Sequence, residues 1–197
     1  MQRTVFASNN AGKVAEVDAL LRPGGYTVTP QSEYLVPEAE ETGLTFVENA
    51  IIKARNACAH TQLPAIADDS GLEVDALDGD PGIHSARYAG TPGDDDANNS
   101  LLLAELAGVP EAERTARFRC VMVYMRHAED PAPVICQGVW DGRILEAPRG
   151  AGGFGYDPVF WVPTEDCAAA ELPADAKNRL SHRGQALRAL LDALNVT

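Results

Sequence analysis

The first seventy residues alternate between two hydrophobic periods, and that alternation restricts the fold more than any other feature of the chain. Arg3–Ala7 is a short apolar run centred on Val5 and Phe6, which reads as a strand. A polar turn, Ser8–Lys13, leads into Val14, Val17, Leu20 and Leu21 at helical spacing, and Pro23-Gly24-Gly25 stops that helix. Tyr26–Thr29 predicts a second strand. A second helix starts near Thr45 and carries Phe46, Ala50, Ala54 and Ala57 on one face. Pro64–Ala67 predicts a short buried strand ending in Asp68-Asp69-Ser70-Gly71. Strands alternating with helices imply an α/β fold with a largely parallel, helix-covered sheet.

The middle of the chain changes period. Asn98–Ala107 predicts a helix, with Leu101, Leu102 and Leu106 on one side. Ala116–Arg126 and Pro133–Trp140 are β-rich, and Asp141-Gly142 predicts a tight turn into Arg143–Glu146. These runs predict an antiparallel meander, a second lobe over roughly 80–148, on a sheet that is mixed overall. Gly150–Asp157 is a glycine-rich loop, Pro158–Val162 another strand, and Ser181–Leu194 an amphipathic closing helix.

At 197 residues the chain is one domain, or one domain with two lobes. Its formal net charge is −13, which disfavours binding to nucleic acid or to an anionic membrane. No apolar run approaches the roughly 20 residues that span a bilayer, and Met1–Ser8 has no secretion-signal core. Cys58, Cys120, Cys136 and Cys167 form no CxxC pair, which predicts reduced thiols in a cytoplasmic protein. Only Lys13, Lys53 and Lys177 are lysines among 16 basic residues, so each lysine draws attention.

Five segments carry chemistry. Ser8-Asn9-Asn10-Ala11-Gly12-Lys13 joins a strand to a helix start, where unpaired N–H groups and the dipole suit phosphate; it is not a Walker loop. The same residues also make an ordinary turn with Asn10 as N-cap. Asp68 and Asp69 sit side by side in an extended segment, so their side chains point to opposite faces. One of them can orient or deprotonate water or hold Mg²⁺ while the other holds the loop. Glu40 and Glu41 lie on the loop before the second helix, within reach of a metal, whereas Glu48 has capping-box spacing from Thr45. In Gly150–Asp157, Phe154 can stack on a planar base and Asp157 can accept from a ring N–H. Finally, Lys177 precedes Ser181-His182-Arg183-Gly184, where two cationic residues stand against the helix dipole and a bound anion or carbonyl oxygen would offset that cost.

The ordered set resembles the inosine triphosphate pyrophosphatase family, most closely its bacterial members. The matching stretches are Ser8-x-Asn10-x-x-Lys13, Glu41-x-Gly43-x-Thr45-Phe46-x-Glu48-Asn49-Ala50, Ala67-Asp68-Asp69-Ser70-Gly71-Leu72, Pro81-Gly82-x-x-Ser85-Ala86-Arg87-Tyr88, Gly152-Gly153-Phe154-Gly155-Tyr156-Asp157-Pro158 and Ser181-His182-Arg183-Gly184. The resemblance implies an elongated, two-lobed α/β domain over 1–197, with a mixed central sheet and a cleft between the lobes, assembled as a homodimer. It implies hydrolysis of XTP, ITP and dITP to the monophosphate and pyrophosphate, with Mg²⁺. Asp69 is then general base and metal ligand, and Glu41 a second carboxylate at the metal. Ser8, Asn10 and Lys13 hold phosphates within the loop that includes Asn9, Ala11 and Gly12, with Ser70 nearby. Phe154, Asp157, Lys177, His182 and Arg183 form the base pocket, together with Gly155 and Tyr156 of the glycine-rich loop.

Physical chemistry agrees with these roles. A triphosphate carries about four negative charges, part of which must be neutralised before water reaches phosphorus. A 6-oxopurine presents the reverse hydrogen-bond pattern to adenine. Arg183 or Lys177 can donate to the 6-oxo group, and a buried donor left facing an amino group penalises adenine. Two other readings use the same residues: a pyrophosphatase for pyrimidine or other modified bases, and a non-catalytic nucleotide-binding module.

Overall fold

A computed structural model describes residues 1–195 of the chain. Seven strands form one mixed sheet: β1 (Gln2–Phe6), β2 (Tyr26–Pro30), β3 (Ala65–Val74), β4 (Thr115–Met125), β5 (Val134–Ile144), β6 (Phe160–Val162) and β7 (Cys167–Ala168). Their order across the sheet is β2-β1-β3-β4-β5-β6-β7. β1 pairs in parallel with β2 and β3, while β5, β6 and β7 pair antiparallel. The helices are α1 (Ala11–Leu21), α2 (Phe46–Thr61), α3 (Asp95–Glu105), α4 (Ala174–Leu180) and α5 (His182–Asn195). The parallel pairs β1–β2 and β1–β3 join strands that α1 and α2 separate in sequence, as a parallel crossover requires.

The chain divides into two compact units. Among the described residues the first comprises 1–69, 120–138 and 185–195, the second 70–119 and 139–184. In the first unit Phe6, Val17, Leu21, Val28, Ile66, Met122, Leu187 and Leu190 share one apolar core. In the second, Leu72, Leu102, Leu106, Phe118, Trp140, Ile144, Phe160 and Val162 form another.

Two local expectations change. The strand expected to end in Asp68–Gly71 does not stop there, because β3 continues through it to Val74. The parallel ladder with β1 registers only Val5 with Ala65 and Phe6 with Ile66, and β1 then ends. The two aspartates thus lie just past the carboxyl end of β1, in a strand that goes on without it. Asp141-Gly142 does not turn either, since β5 runs unbroken to Ile144. A Cβ at Gly142 would come within 2.5 Å of the Phe160 ring and strike the Trp161 carbonyl. That glycine admits the neighbouring strand β6 rather than bending the chain.

Candidate active site

Local sequence sets the first-unit cluster. Asn10 caps α1, its Oδ1 accepting from the Lys13 N–H at 3.0 Å, and Ser8 Oγ accepts from the Asn10 N–H at 3.2 Å. Accepting these bonds still leaves a hydroxyl proton and an amide NH₂ as donors. Asn9 instead donates to Glu38, at 3.3 Å. The cap aims Lys13 back toward β3, where its Nζ lies 3.0 Å from Oδ2 of the buried Asp68.

Asp69 is answered from a different helix. Lys53 of α2 places its Nζ 2.9 Å from Asp69 Oδ1 and 2.7 Å from Glu41 Oε1. Glu41 precedes a loop tied to α2 by the Gly43 N–H, which donates to Asn49 Oδ1 at 2.8 Å. Burial pushes the Asp69 carboxyl above the ordinary carboxylate range, and Lys53 only partly opposes it. Burial works against the Lys53 ammonium as well, but Asp69, Asp68 and Glu41 together hold it above the usual lysine value. Glu48 is engaged elsewhere: it accepts from the Leu44 N–H and the Thr45 hydroxyl at the start of α2, and the hydroxyl bond lowers its pKa.

Asp69 Oδ2 is buried and has no hydrogen-bond partner among the described residues. An orphaned carboxylate oxygen beside Glu41 fits Mg²⁺, a hard cation that takes one or two carboxylates and completes its shell with water and phosphate oxygens. Among the described residues no group of three or more His, Cys, Asp or Glu converges as a metal cage, so any such ion would depend on those other oxygens.

The second unit assembles a different set. The Phe154 ring is 58% exposed, with Lys177 Nζ 4.3 Å and Arg183 Cζ 5.6 Å from its centre. An aromatic face open on one side and bordered by cations offers a stacking platform. Buried Asp157 accepts from the Phe154 N–H at 2.7 Å and pairs with Lys177, so it anchors the loop. A Cβ at Gly153 would lie 2.9 Å from Asp157 Cβ and closer still to its carboxylate, so this turn around Asp157 requires glycine.

His182 and Arg183 are buried rather than exposed at the start of α5, whose Ser181 Oγ accepts from the Gly184 N–H at 3.2 Å. The His182 ring stacks on Phe118 at 4.8 Å and 10°. Arg183 reaches Ser70 Oγ at 3.5 Å. Tyr156 belongs to the core, its hydroxyl donating to the Ser85 carbonyl at 2.8 Å, so it offers a ligand only backbone.

Sequence reasoning missed Lys53. Its signal was the scarcity of lysine, and its place between Ala50 and Ala54 on the buried face of α2. A cation beside that apolar stripe is costly unless paired, and its partners lie outside α2.

The Ham1 family model matches residues 4–193. The chain is 63% identical over 192 residues to the dITP/XTP pyrophosphatase of Thioalkalivibrio sulfidiphilus, covering 98% of each chain. It is 58% identical over 194 residues to the dITP/XTP pyrophosphatase of Vibrio cholerae, covering 98% of this chain and 97% of that one. A HAM1 protein from Coxiella burnetii superposes with a TM-score of 0.96 at 50% identity, covering 100% of both chains. The Staphylococcus aureus Ham1 protein does so at 0.91 and 40%, covering 99% of each. This chain belongs to the Ham1 family.

Proposed function

We propose that this chain hydrolyses the noncanonical purine nucleoside triphosphates XTP, ITP and dITP between the α and β phosphates. The products are the monophosphate and pyrophosphate, and the reaction clears these nucleotides from the pool. One observation carries the chemistry: Asp69 is half-buried with a raised pKa, one oxygen held by Lys53 and the other, Oδ2, buried and unpartnered among the described residues, beside Glu41. A carboxylate whose pKa is moved toward neutrality is a better proton acceptor for water.

In this reading Asp69 takes a proton as water attacks phosphorus, the P–O bond to the bridging oxygen breaks, and pyrophosphate leaves. Lys53 keeps Asp69 ionised between turnovers. Lys13 balances phosphate charge once released from Asp68, and Ser8 and Asn10 donate to phosphate oxygens. Asp69 and Glu41 would hold Mg²⁺, which when bound supplies part of the neutralisation that lets water approach an anionic substrate. Phe154 stacks on the base, Arg183 and Lys177 donate to its 6-oxo group, and Asp157 and His182 keep that arrangement in place.

The substrate is a small molecule, not nucleic acid, as the net charge of −13 favours. No helix of the described residues is long and apolar enough to cross a membrane. The four cysteines are free thiols, three of them buried, which suits the reducing cytoplasm. A homodimer is the assembly that the family resemblance implies, and sedimentation reads it out.

The test is a panel of nucleoside triphosphates with Mg²⁺, scored for pyrophosphate against orthophosphate. Pyrophosphate from dITP, ITP and XTP well above that from ATP is expected. Faster turnover of UTP or dTTP, or release of orthophosphate, would overturn the reading.

A further inference from the structure

The glycine-rich loop has a second anchor outside the residues assigned so far. Asp95 and Asn99 lie four residues apart on one face of α3. Asp95 Oδ2 accepts from the Gly155 N–H at 2.6 Å, and Asn99 Nδ2 donates to the Gly155 carbonyl at 2.8 Å. Both polar groups of a residue at φ +61° are therefore gripped by a single helical turn.

The Asn99 amide also donates to the Asp95 carbonyl at 2.9 Å. Two carbonyl oxygens facing one atom identify it as nitrogen, because an oxygen there would repel both. Asn99 is buried, and its Oδ1 has no partner among the described residues. A buried amide with an orphaned acceptor is a poor device for stability, so the use of this side chain lies in what its NH₂ group holds.

Phe154 immediately precedes Gly155. Its own N–H is fixed by Asp157, and the next residue is fixed by α3, so the peptide on each side of the ring is tethered. We propose that Asp95 and Asn99 are positioning residues for purine selection, holding Gly155 so that Phe154 presents its face to the base. They touch no substrate atom. The proposal rests on Phe154 stacking against the base. Loosening the loop costs oriented stacking while leaving the water chemistry at Asp69 alone, so KM rises and kcat holds.

Steady-state kinetics with dITP and ATP, and melting temperatures, test this on four variants. Asn99→Asp keeps shape but replaces the donor with an oxygen, and Asp95→Ala removes the acceptor. Each should raise KM for dITP about ten-fold, narrow the dITP-to-ATP ratio of kcat/KM by a similar factor, and leave kcat within about two-fold. Asp95→Asn loses the charge but keeps an oxygen acceptor, and should behave like the parent. Phe154→Ala, run alongside, should narrow the same ratio. If Asn99→Asp fails to fold, exposed Asp95 decides the matter. The proposal is overturned if Phe154→Ala narrows the ratio while Asp95→Ala keeps the parent's KM and ratio. It is equally overturned if Asp95→Ala lowers kcat for both nucleotides together with the melting temperature, which makes the tie structural. An unchanged ratio in Phe154→Ala would remove the stacking role and this inference with it.

Discussion

Lys53 Nζ lies 2.9 Å from Asp69 Oδ1, and the same ammonium is 2.7 Å from Glu41 Oε1, so one side chain of α2 holds two carboxylates that would otherwise repel. Neither contact is between sequence neighbours. The helix positions the cation, β3 positions one anion, and the loop before α2 positions the other.

Lys53→Met should therefore destabilise the protein by about 1.5–3 kcal/mol at neutral pH, because it leaves two half-buried carboxylates without their cation. The loss should depend on pH. Lys53 holds the Asp69 pKa down against burial, Glu41 and Asp68, so without it that pKa rises further above its unfolded value. The native state then binds the proton more tightly than the unfolded state, and stability falls as pH rises through that window. Thermal melts from about pH 4 to 8, bracketing the ordinary and raised carboxylate values, should show the variant approaching the parent at the acid end. A constant deficit across that range would mean that Lys53 acts through packing alone.

Lys13→Ala should weaken triphosphate binding without changing base preference. Its Nζ is 3.0 Å from Asp68, at the start of α1, and in the proposed roles it meets only phosphates. A lost charge-assisted contact is worth about 1.5–3 kcal/mol, roughly ten-fold or more in affinity. Equilibrium binding of ITP and ATP should show both weakened alike, and a changed ITP-to-ATP ratio would contradict the phosphate role.

The residues that carry local signals were legible in the sequence. Asn10 and Thr45 read as caps, Glu48 as a capping-box partner, and the α1 and α2 periods as helices, because each depends on neighbours within four residues. Long-range features were not legible. Gly142 looks like a turn residue until Phe160 of β6 is packed over it, and Asp68–Gly71 looks like a strand end until β3 is seen to continue past the end of β1. Lys53 was hidden for the same reason, since its partners are fixed only by the tertiary fold. The burial of His182 against Phe118 likewise needed β4 beside the start of α5.

Arg183→Ala should cost discrimination. The guanidinium borders the Phe154 ring at 5.6 Å, and a donor aimed at the 6-oxo group favours hypoxanthine and xanthine over adenine. The variant should lower kcat/KM for ITP and XTP by roughly ten-fold or more, with a much smaller change for ATP. Because Arg183 is buried, the melting temperature should fall modestly, by the lost packing less the relief of a cation at the helix start. An equal fall in kcat/KM for all three nucleotides would place Arg183 on the phosphates.

Asp69→Asn puts the proposed chemistry to its most direct test, because it keeps size and burial while removing the base. Pyrophosphate release from dITP with Mg²⁺ should be measured on parent and variant, with dITP binding followed separately. Losing the general base alone costs about 10²–10⁴-fold, and losing a metal ligand adds to that. A fall of at least that size in turnover is expected, with the protein folded and still binding dITP. Turnover within a few-fold of the parent would contradict it.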